Sequence, residues 1–330
     1  MSTLFRTLIS AACTMALAGT AVAADDAAPA AKGGYKLAST IKTDSQTGIQ
    51  ALVTDSANRR LYVARQGAVE VVDIDSGSKV GQVAVPGTVS ALVLAPDLGR
   101  GFASSASDNS VTLFDLKTLQ VGKTVKTGGD EPIGLEYEPK SKRVFVSHQK
   151  GGKLTALSAE SGASLGTASL GGKLRGVTTD TRGNVFVADE EQNALHVLET
   201  TTLKSKGQIS VWPATRPTAL TLDDKERRIY VSTASGRMVV VDPDIGQMVG
   251  YVPIGKGDGG IAAQYAPNRF VRLFVPTADG QLTVVQNAKL TATVESTLPS
   301  SGMKSTAVAV DGKSGKAYLA SASDVLVLTK

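Results

Sequence analysis

Seven copies of one short motif, an apolar strand with an aromatic residue near its start, recur along the 330-residue chain. Successive aromatic residues stand 40 to 44 positions apart, and the strands between them are rich in Val, Ile, Leu and Thr. A small residue, Ala or Gly, recurs at one position of the strand that precedes each copy. Four short strands in every repeat of this length predict a β-propeller. The aromatic residues, which number the repeats 1 to 7 below, are Tyr62, Phe102, Phe145, Phe186, Tyr230, Phe274 and Tyr318.

The last repeat is incomplete, because the sequence ends at Lys330 after its third strand. Residues 35–42, which precede the first repeat, can supply the missing fourth strand, and this pairing would remove the open sheet edges of the ring. No stretch has convincing helical periodicity with caps. We therefore expect an all-β fold: one seven-bladed β-propeller over residues 35–330, with four-stranded antiparallel blades, closed by an N-terminal strand that completes the last blade.

The first 23 residues have the features of a secretory signal. Arg6 precedes a mostly apolar stretch, and residues 21–23 (Ala-Val-Ala) form a cleavage site of the small-x-small type. Residues 24–34 are rich in Ala and Gly and are predicted to be a flexible leader. We expect a periplasmic or secreted protein that has no membrane span after signal cleavage and is a monomer.

The single Cys, Cys13, lies inside the predicted signal, so the mature chain is expected to have no thiol. This composition excludes a disulfide scaffold, a Cys-rich zinc site and iron–sulfur ligation. Haem-bearing and quinone-bearing propellers are disfavoured too, because the chain has no Cys-x-x-Cys-His motif and only one Trp. No cofactor is therefore expected.

The repeat resembles that of the YVTN family of β-propellers. The best copy is EPIGLEYEPKSKRVFVSH at positions 131–148, and VEVVDIDSG at 69–77 matches the strand that follows it in the family pattern. With a signal peptide, the chain looks most like the periplasmic YncE-like branch. The resemblance implies a propeller and admits single-stranded nucleic acid as a ligand. No repeat keeps the full Tyr-Val-Thr-Asn tetrapeptide, since its Asn position holds Arg65, His148 or Asp189 in three copies.

Two sets of loops are expected to share the face on which the central channel opens. One set joins the second and third strands of each repeat, and the other links one repeat to the next. Their mixed charges argue against a uniform basic groove and suit a small polar or anionic ligand, a protein partner, or no ligand at all. The predicted ligand-binding residues are Arg65, Glu131, His148, Arg175, Asp189, Arg216 and Asp258.

Several polar motifs have both a functional and a structural interpretation. His148 could act as a general base or metal ligand at the channel mouth, but a hydrogen-bonded loop imidazole is the favoured interpretation. The run of acids at 189–191 could bind a divalent cation, although adjacent carboxylates in a solvated loop are commoner. Two Asp-x-Asp-x-Gly segments, at 73–77 and 242–246, lack the closing Glu of an EF-hand and are predicted to be turns. No catalytic or metal-ligating residue is assigned.

The loops at the opposite face, between first and second strands, hold more basic than acidic residues. A ring of Arg and Lys could bind a polyanion, but a basic residue just before the aromatic strand belongs to the repeat, which favours a structural role. Three functions therefore remain. We favour a non-catalytic binding or scaffold propeller. The alternatives are a lactonase-like or lyase-like enzyme that uses His148 and nearby carboxylates, and single-stranded nucleic-acid binding through the basic loops.

Overall fold

A computed structural model describes residues 34–44, 48–265, 270–288, 291–299 and 307–330. The predicted signal peptide (1–23) and the predicted leader up to residue 33 lie outside the described residues. Within the described part of the chain the structure is built from β-strands, and its one helix is a single 3₁₀ turn at Pro96–Leu98. No described helix has the length and hydropathy to cross a membrane.

Five sheets contain four antiparallel strands each. One sheet joins the two ends of the chain: β1 (Lys36–Ile41), β26 (Val325–Thr329), β25 (Ala317–Ala320) and β24 (Val308–Val310). Each of the other four sheets is formed by four consecutive strands.

The first two of these sheets are β8 (Asp130–Glu138), β9 (Arg143–Lys150), β10 (Lys153–Ser158) and β11 (Ser164–Ser169), and then β12 (Leu174–Thr179), β13 (Asn184–Asp189), β14 (Ala194–Glu199) and β15 (Ser205–Ser210). The last two are β16 (Pro217–Asp223), β17 (Arg228–Thr233), β18 (Arg237–Asp242) and β19 (Gln247–Pro253), and then β20 (Ala262–Tyr265), β21 (Phe270–Thr277), β22 (Gln281–Ala288) and β23 (Thr291–Pro299).

The sixth sheet has six strands and contains both repeat 1 and repeat 2. Its strands are β2 (Ala51–Asp55), β3 (Arg60–Asp73), β4 (Lys79–Ala95), β5 (Arg100–Ser105), β6 (Ser110–Asp115) and β7 (Val121–Lys126). The described strands thus form a six-bladed β-propeller, and the prediction of seven blades is wrong.

Uninterrupted strand pairing between the first two repeats explains the lower blade number. The N–H of Ile74 donates to the carbonyl of Arg59 at 3.0 Å, so the long strand β3 doubles back on itself. At its bend, Gln66 pairs with Thr88 of β4, which continues into the inner strand of repeat 2. Between later repeats the strand pairing is interrupted. Three residues, for example, separate β7 from β8.

The ring is closed by pairing between its two ends. β1 lies antiparallel to β26, with partners from Lys36 and Thr329 to Ile41 and Val325. This part of the expected architecture is confirmed. Just before β1, the ring of Tyr35 packs edge-on against Phe274 at 4.9 Å, so the closing segment is anchored to the preceding sheet as well.

The hydrophobic core lies between neighbouring repeats and contains all seven repeat aromatics, each almost fully buried. Phe145, for instance, packs with Leu174 and Val185 of the next sheet. Towards the axis the inner strands approach closely: a Cβ added at Gly176 would lie 3.0 Å from the Cα of Ala219. The recurrent small residue of the sequence is therefore required by contact between inner strands.

The basic residue just before the aromatic strand joins adjacent repeats at the lower face, which is the face formed by the loops between first and second strands. Arg100 donates to the carbonyl of Ala159 at 3.1 Å, and Arg143 donates to that of Thr200 at 2.9 Å. Arg60 makes the equivalent bond to Leu116. Each guanidinium thus reaches the turn that follows the third strand of the next repeat, which supports the structural interpretation of these residues.

We predict that Phe145→Ala destabilises the fold by about 3–5 kcal/mol, because it empties a buried aromatic site between two sheets. Ile245→Ala, at a side chain that is 60% exposed, is the control and should change the free energy of unfolding by less than about 0.5 kcal/mol. Urea denaturation followed by circular dichroism measures both. Equal effects of the two substitutions would contradict this account of the core.

We also predict that deleting residues 1–42 lowers the melting temperature and causes concentration-dependent self-association. Without β1, the edge of β26 presents unpaired N–H and C=O groups to other molecules. Deletion of residues 1–33 alone retains β1 and is the control. Light scattering and thermal denaturation over a range of protein concentrations test the prediction, which fails if both deletions behave alike.

Candidate functional site

A cavity of about 270 Å³ lies on the axis between the inner strands and is lined by the recurrent small residues, among them Ala51, Gly134 and Ala219. Gln50 and Glu136 are the larger polar residues that line it, and further charged side chains lie at the two ends of the channel. The upper end is the face predicted to bind a ligand, where the inner strands begin.

Four charged side chains from consecutive repeats meet at this upper end, and we call Arg175, Glu190, Arg216 and Asp258 the channel-mouth cluster. Arg175 Nη2 lies 3.0 Å from Asp258 Oδ2, and its Nε lies 3.7 Å from Glu190 Oε2. Arg216 Nη2 lies 2.9 Å from Glu190 Oε1 and 3.6 Å from Asp258 Oδ1. Each cation therefore contacts both anions.

The backbone around the cluster is held by hydrogen bonds within and between repeats. Arg216 has a positive φ of 58°, and its N–H donates to Asn193 Oδ1 at 2.7 Å. The carbonyl of Arg216 accepts from Ala234, and that of Asp258 accepts from Ala278. These bonds place the side chains before any ligand is present.

The cluster has a covered half and an open half. The side chains of Arg175 and Glu190 are 18% and 13% exposed, whereas those of Arg216 and Asp258 are 56% and 44% exposed. The two covered groups fix the orientation of the two open ones. A cation and an anion are thus presented side by side on the upper face.

Glu131 forms a separate pair at the same face, with Lys150, at 2.5 Å between Oε1 and Nζ. Its backbone has a positive φ of 53°, and its N–H donates to Asn109 Oδ1 at 2.8 Å. Asn109 also donates from Nδ2 to Asp130. The predicted ligand-binding residue Glu131 therefore lies at the start of β8, where its backbone is bonded to Asn109 of repeat 2.

His148 is fully buried and does not open onto the channel mouth. Its Nδ1 lies 3.0 Å from the carbonyl of Lys153, so Nδ1 carries a proton, while Nε2 is buried with no hydrogen-bond partner. Gly129 covers the ring, since a Cβ there would lie 2.7 Å from it. Burial lowers the pKa of the imidazole despite the bond to Lys153, which keeps the ring neutral.

Asp189 is also fully buried, where it anchors its own loop. It accepts hydrogen bonds from His196 Nε2 at 2.9 Å and from the N–H groups of Glu191 and Gln192 at 2.9 and 3.0 Å. Gln208 extends this series of hydrogen bonds by donating to His196 Nδ1 at 3.2 Å. Burial alone would raise the pKa of Asp189, but these donors outweigh it and the pKa lies below its ordinary value.

Arg65 lies in repeat 1, apart from the channel-mouth cluster. Its Nε is 3.7 Å from the buried carboxylate of Glu70, and its Nη2 donates to Gln82 at 3.3 Å. The structure therefore brings together Arg175, Arg216 and Asp258 of the predicted residues. It places Arg65, His148 and Asp189 in other, largely internal contacts.

Sequence reasoning did not assign Glu190 to the ligand site, although it bridges both arginines of the cluster. Its second-to-third-strand loop was expected on the ligand face, and its acidic run was considered for metal binding. The signal for its role is the position of that loop between Arg175, at the start of β12, and Arg216, just before β16.

The acidic motifs considered for metal binding have structural partners. Asp73 accepts hydrogen bonds from the N–H groups of Asp75 and Ser76. Asp242 accepts hydrogen bonds from those of Asp244 and Ile245, so both segments are turns, as predicted. Among the described residues, no group of three or more His, Cys, Asp or Glu side chains is arranged to hold a metal ion.

Comparisons with known proteins support the fold. No protein-family model matches the chain, and no curated protein sequence does. A chain of hydrazine synthase from Kuenenia stuttgartiensis superposes with a TM-score of 0.76 at 14% identity, over 90% of this chain and 99% of that one. At this identity the likeness shows a shared β-propeller fold.

We predict that His148 makes the protein less stable as the pH falls from about 7 to about 5. Its pKa in the folded state lies below the unfolded value near 6.5, so the unfolded chain takes up the proton first. The pH dependence should be smaller in His148→Gln. Urea denaturation at pH 7.5 and 5.0 compares the two proteins, and the contributions of all carboxylates cancel between them. Equal pH dependence would contradict the buried, neutral imidazole.

Proposed function

We propose that this protein is a non-catalytic binding or scaffold propeller whose channel-mouth cluster contacts a small polar ligand or a protein. The observation that carries the proposal is the juxtaposition of Arg216 and Asp258, both about half exposed, on a support formed by Arg175 and Glu190. Groups that are already oriented lose little conformational entropy when they bind.

The alternation of charge within the cluster defines the chemistry of the ligand. The cluster contains two cations and two anions, so a purely anionic ligand would meet Asp258 as well as Arg216. A group with a carboxylate beside an ammonium can pair with both at once. We therefore propose a dipolar ligand, either a zwitterionic small molecule or an ion-paired patch on a partner protein.

Acid–base catalysis by His148 has less support than binding. The ring is covered by Gly129 and bonded to Lys153, and the neighbouring candidate Asp189 is taken up by His196 and by loop amides. Neither group faces the cluster at which a substrate would meet charged side chains.

Nucleic-acid binding through the lower loops also has less support, because many of their arginines are used within the protein. Arg59 pairs with Asp75 and Asp311 at 2.6 and 2.7 Å. Arg227 pairs with three aspartates at 2.8 to 2.9 Å. Such pairs compete with phosphate contacts.

The proposal extends to the setting of the protein. On the repeat pattern and the signal-like start of the sequence, we propose a secreted or periplasmic member of the YVTN-repeat propellers, close to the YncE-like branch. The repeat copies at 131–148 and 69–77 support this assignment.

We predict that the double substitution Arg216→Gln, Asp258→Asn weakens binding of a dipolar ligand at least tenfold while the net charge stays constant. The matched control is Lys142→Gln, Asp97→Asn, which removes an ion pair at the lower face. Thermal-shift titration with a panel of amino acids and dipeptides, and quantitative capture from envelope extract, compare the variants with the unmodified protein. Retention of the same ligands by both variants would overturn the proposal.

A further inference from the structure

A second cavity, of about 420 Å³, lies at the lower end of the channel, opposite the channel-mouth cluster. It is bordered by the ends of four inner strands, β8, β12, β16 and β20. Glu136 and Leu220 line both this cavity and the narrow axial one, so the two spaces adjoin there. The volume is in the range of small-molecule sites in proteins.

Glu136 is an unusual residue at its position. The matching positions of the next two repeats hold Thr178 and Thr221, and a lone acid among such inner-strand residues is the signal that sequence reasoning missed. The hydroxyl of Thr178 donates to its Oε1 at 3.3 Å. Burial raises the pKa of Glu136 to about 7, and hydrogen bonds from Thr179 and Thr178 only partly oppose this. No described Lys or Arg forms an ion pair with it within 4.0 Å.

The other acids that line the cavity have partners. Asp180 and Asp224 are paired with Arg227 at 2.9 and 2.8 Å. Glu138 accepts the N–H groups of Lys140 and Ser141, at 2.8 and 2.6 Å. Glu136 and Glu138 are therefore the lining acids without an ion-pair partner among the described residues, and of these two Glu136 is the one that also lines the axial cavity.

An aromatic ring lines the same cavity. Tyr265 is 49% exposed, and its hydroxyl donates to the carbonyl of Leu222 at 2.6 Å. This bond connects β20 to β16 and holds the ring at the wall. A carboxylate near an aromatic ring is the combination that recognises ammonium groups, through charge pairing and cation–π attraction.

We propose that the lower cavity binds an organic ammonium ion, with Glu136 as its counter-ion and the ring of Tyr265 as a second contact. Leu220 and Leu222 supply apolar wall for the methyl or methylene groups of such an ion. A divalent metal ion would need several oxygen ligands with charge among them, and the described residues contain no cluster of that kind. The site is separate from the channel-mouth cluster.

Two ammonium ions and one neutral analogue test this inference. Choline and ethanolamine carry the charge, whereas 3,3-dimethyl-1-butanol has the shape of choline without it. Calorimetric titration at pH 8, where Glu136 is mostly ionised, should show saturable binding of at least one ammonium ion and at least tenfold weaker binding of the neutral analogue.

Variants then connect the binding to the cavity. Glu136→Gln keeps the shape of the side chain and should weaken ammonium binding at least tenfold, and Tyr265→Leu should weaken it less. Glu160→Gln, in a lower-face loop outside the cavity, is the control and should bind as the unmodified protein does. The Arg216→Gln, Asp258→Asn protein should also bind normally, so this test is independent of the proposed function.

Three results would overturn the inference. The first is the absence of saturable binding of either ammonium ion up to about 50 mM. The second is equal affinity for choline and its neutral analogue. The third is unchanged binding by Glu136→Gln, in a protein whose melting temperature at pH 8 shows that it is folded.

Discussion

The close approach of the inner strands around the axis is the constraint on which the rest of the structure depends. A side chain at Gly176 would press on the backbone at Ala219, and the neighbouring repeats carry small residues at the same position. The axial cavity is correspondingly small, at about 270 Å³. Most charged groups near the axis therefore lie at its two ends, where the inner strands begin and end.

The two ends use charge in different ways. At the upper end, Arg175 and Arg216 share Glu190 and Asp258, so a balanced set of charges is held ready on linked loops. At the lower end most arginines tie one repeat to the next, through carbonyls or through buried aspartates such as Asp311. The basic residues at the lower end thus hold the ring together, whereas those at the upper end belong to the cluster that we propose binds a ligand.

The repeat period predicted the strands, the buried aromatics and the closing strand, because each follows from local pattern and from the need to cover a free edge. The blade number was not predictable in this way. It depends on the single pairing of Gln66 with Thr88, which lets the ladder run on from repeat 1 into repeat 2. In hairpins the register is fixed by turn type and loop length, and one added pair at a bend leaves the hydrophobic pattern of both strands unchanged.

The candidate site was predicted only in part, because the repeat period places residues on a face of the ring and does not determine their side-chain contacts. Arg175, Arg216 and Asp258 lie at or just before the start of the inner strands of consecutive repeats, so their shared face follows from the period. Their mutual contacts depend on side-chain rotamers and on the positive φ of Arg216. The burial of His148 and Asp189 depends on the side-chain packing around them, because Gly129 covers the ring of His148 and His196 bonds to Asp189, and the repeat period does not specify these contacts.

The pairing of β1 with β26 joins residues 36 and 329, so nearly the whole chain is enclosed in one loop. The entropy of closing a flexible loop grows only with the logarithm of its length, and each doubling costs only about 0.6 kcal/mol more. Sealing the ring by its ends is therefore hardly more demanding for this chain than for one of half its size. The circumference of the ring therefore depends on how closely the inner strands pack around the axis. The number of residues between β1 and β26 has little influence on that circumference.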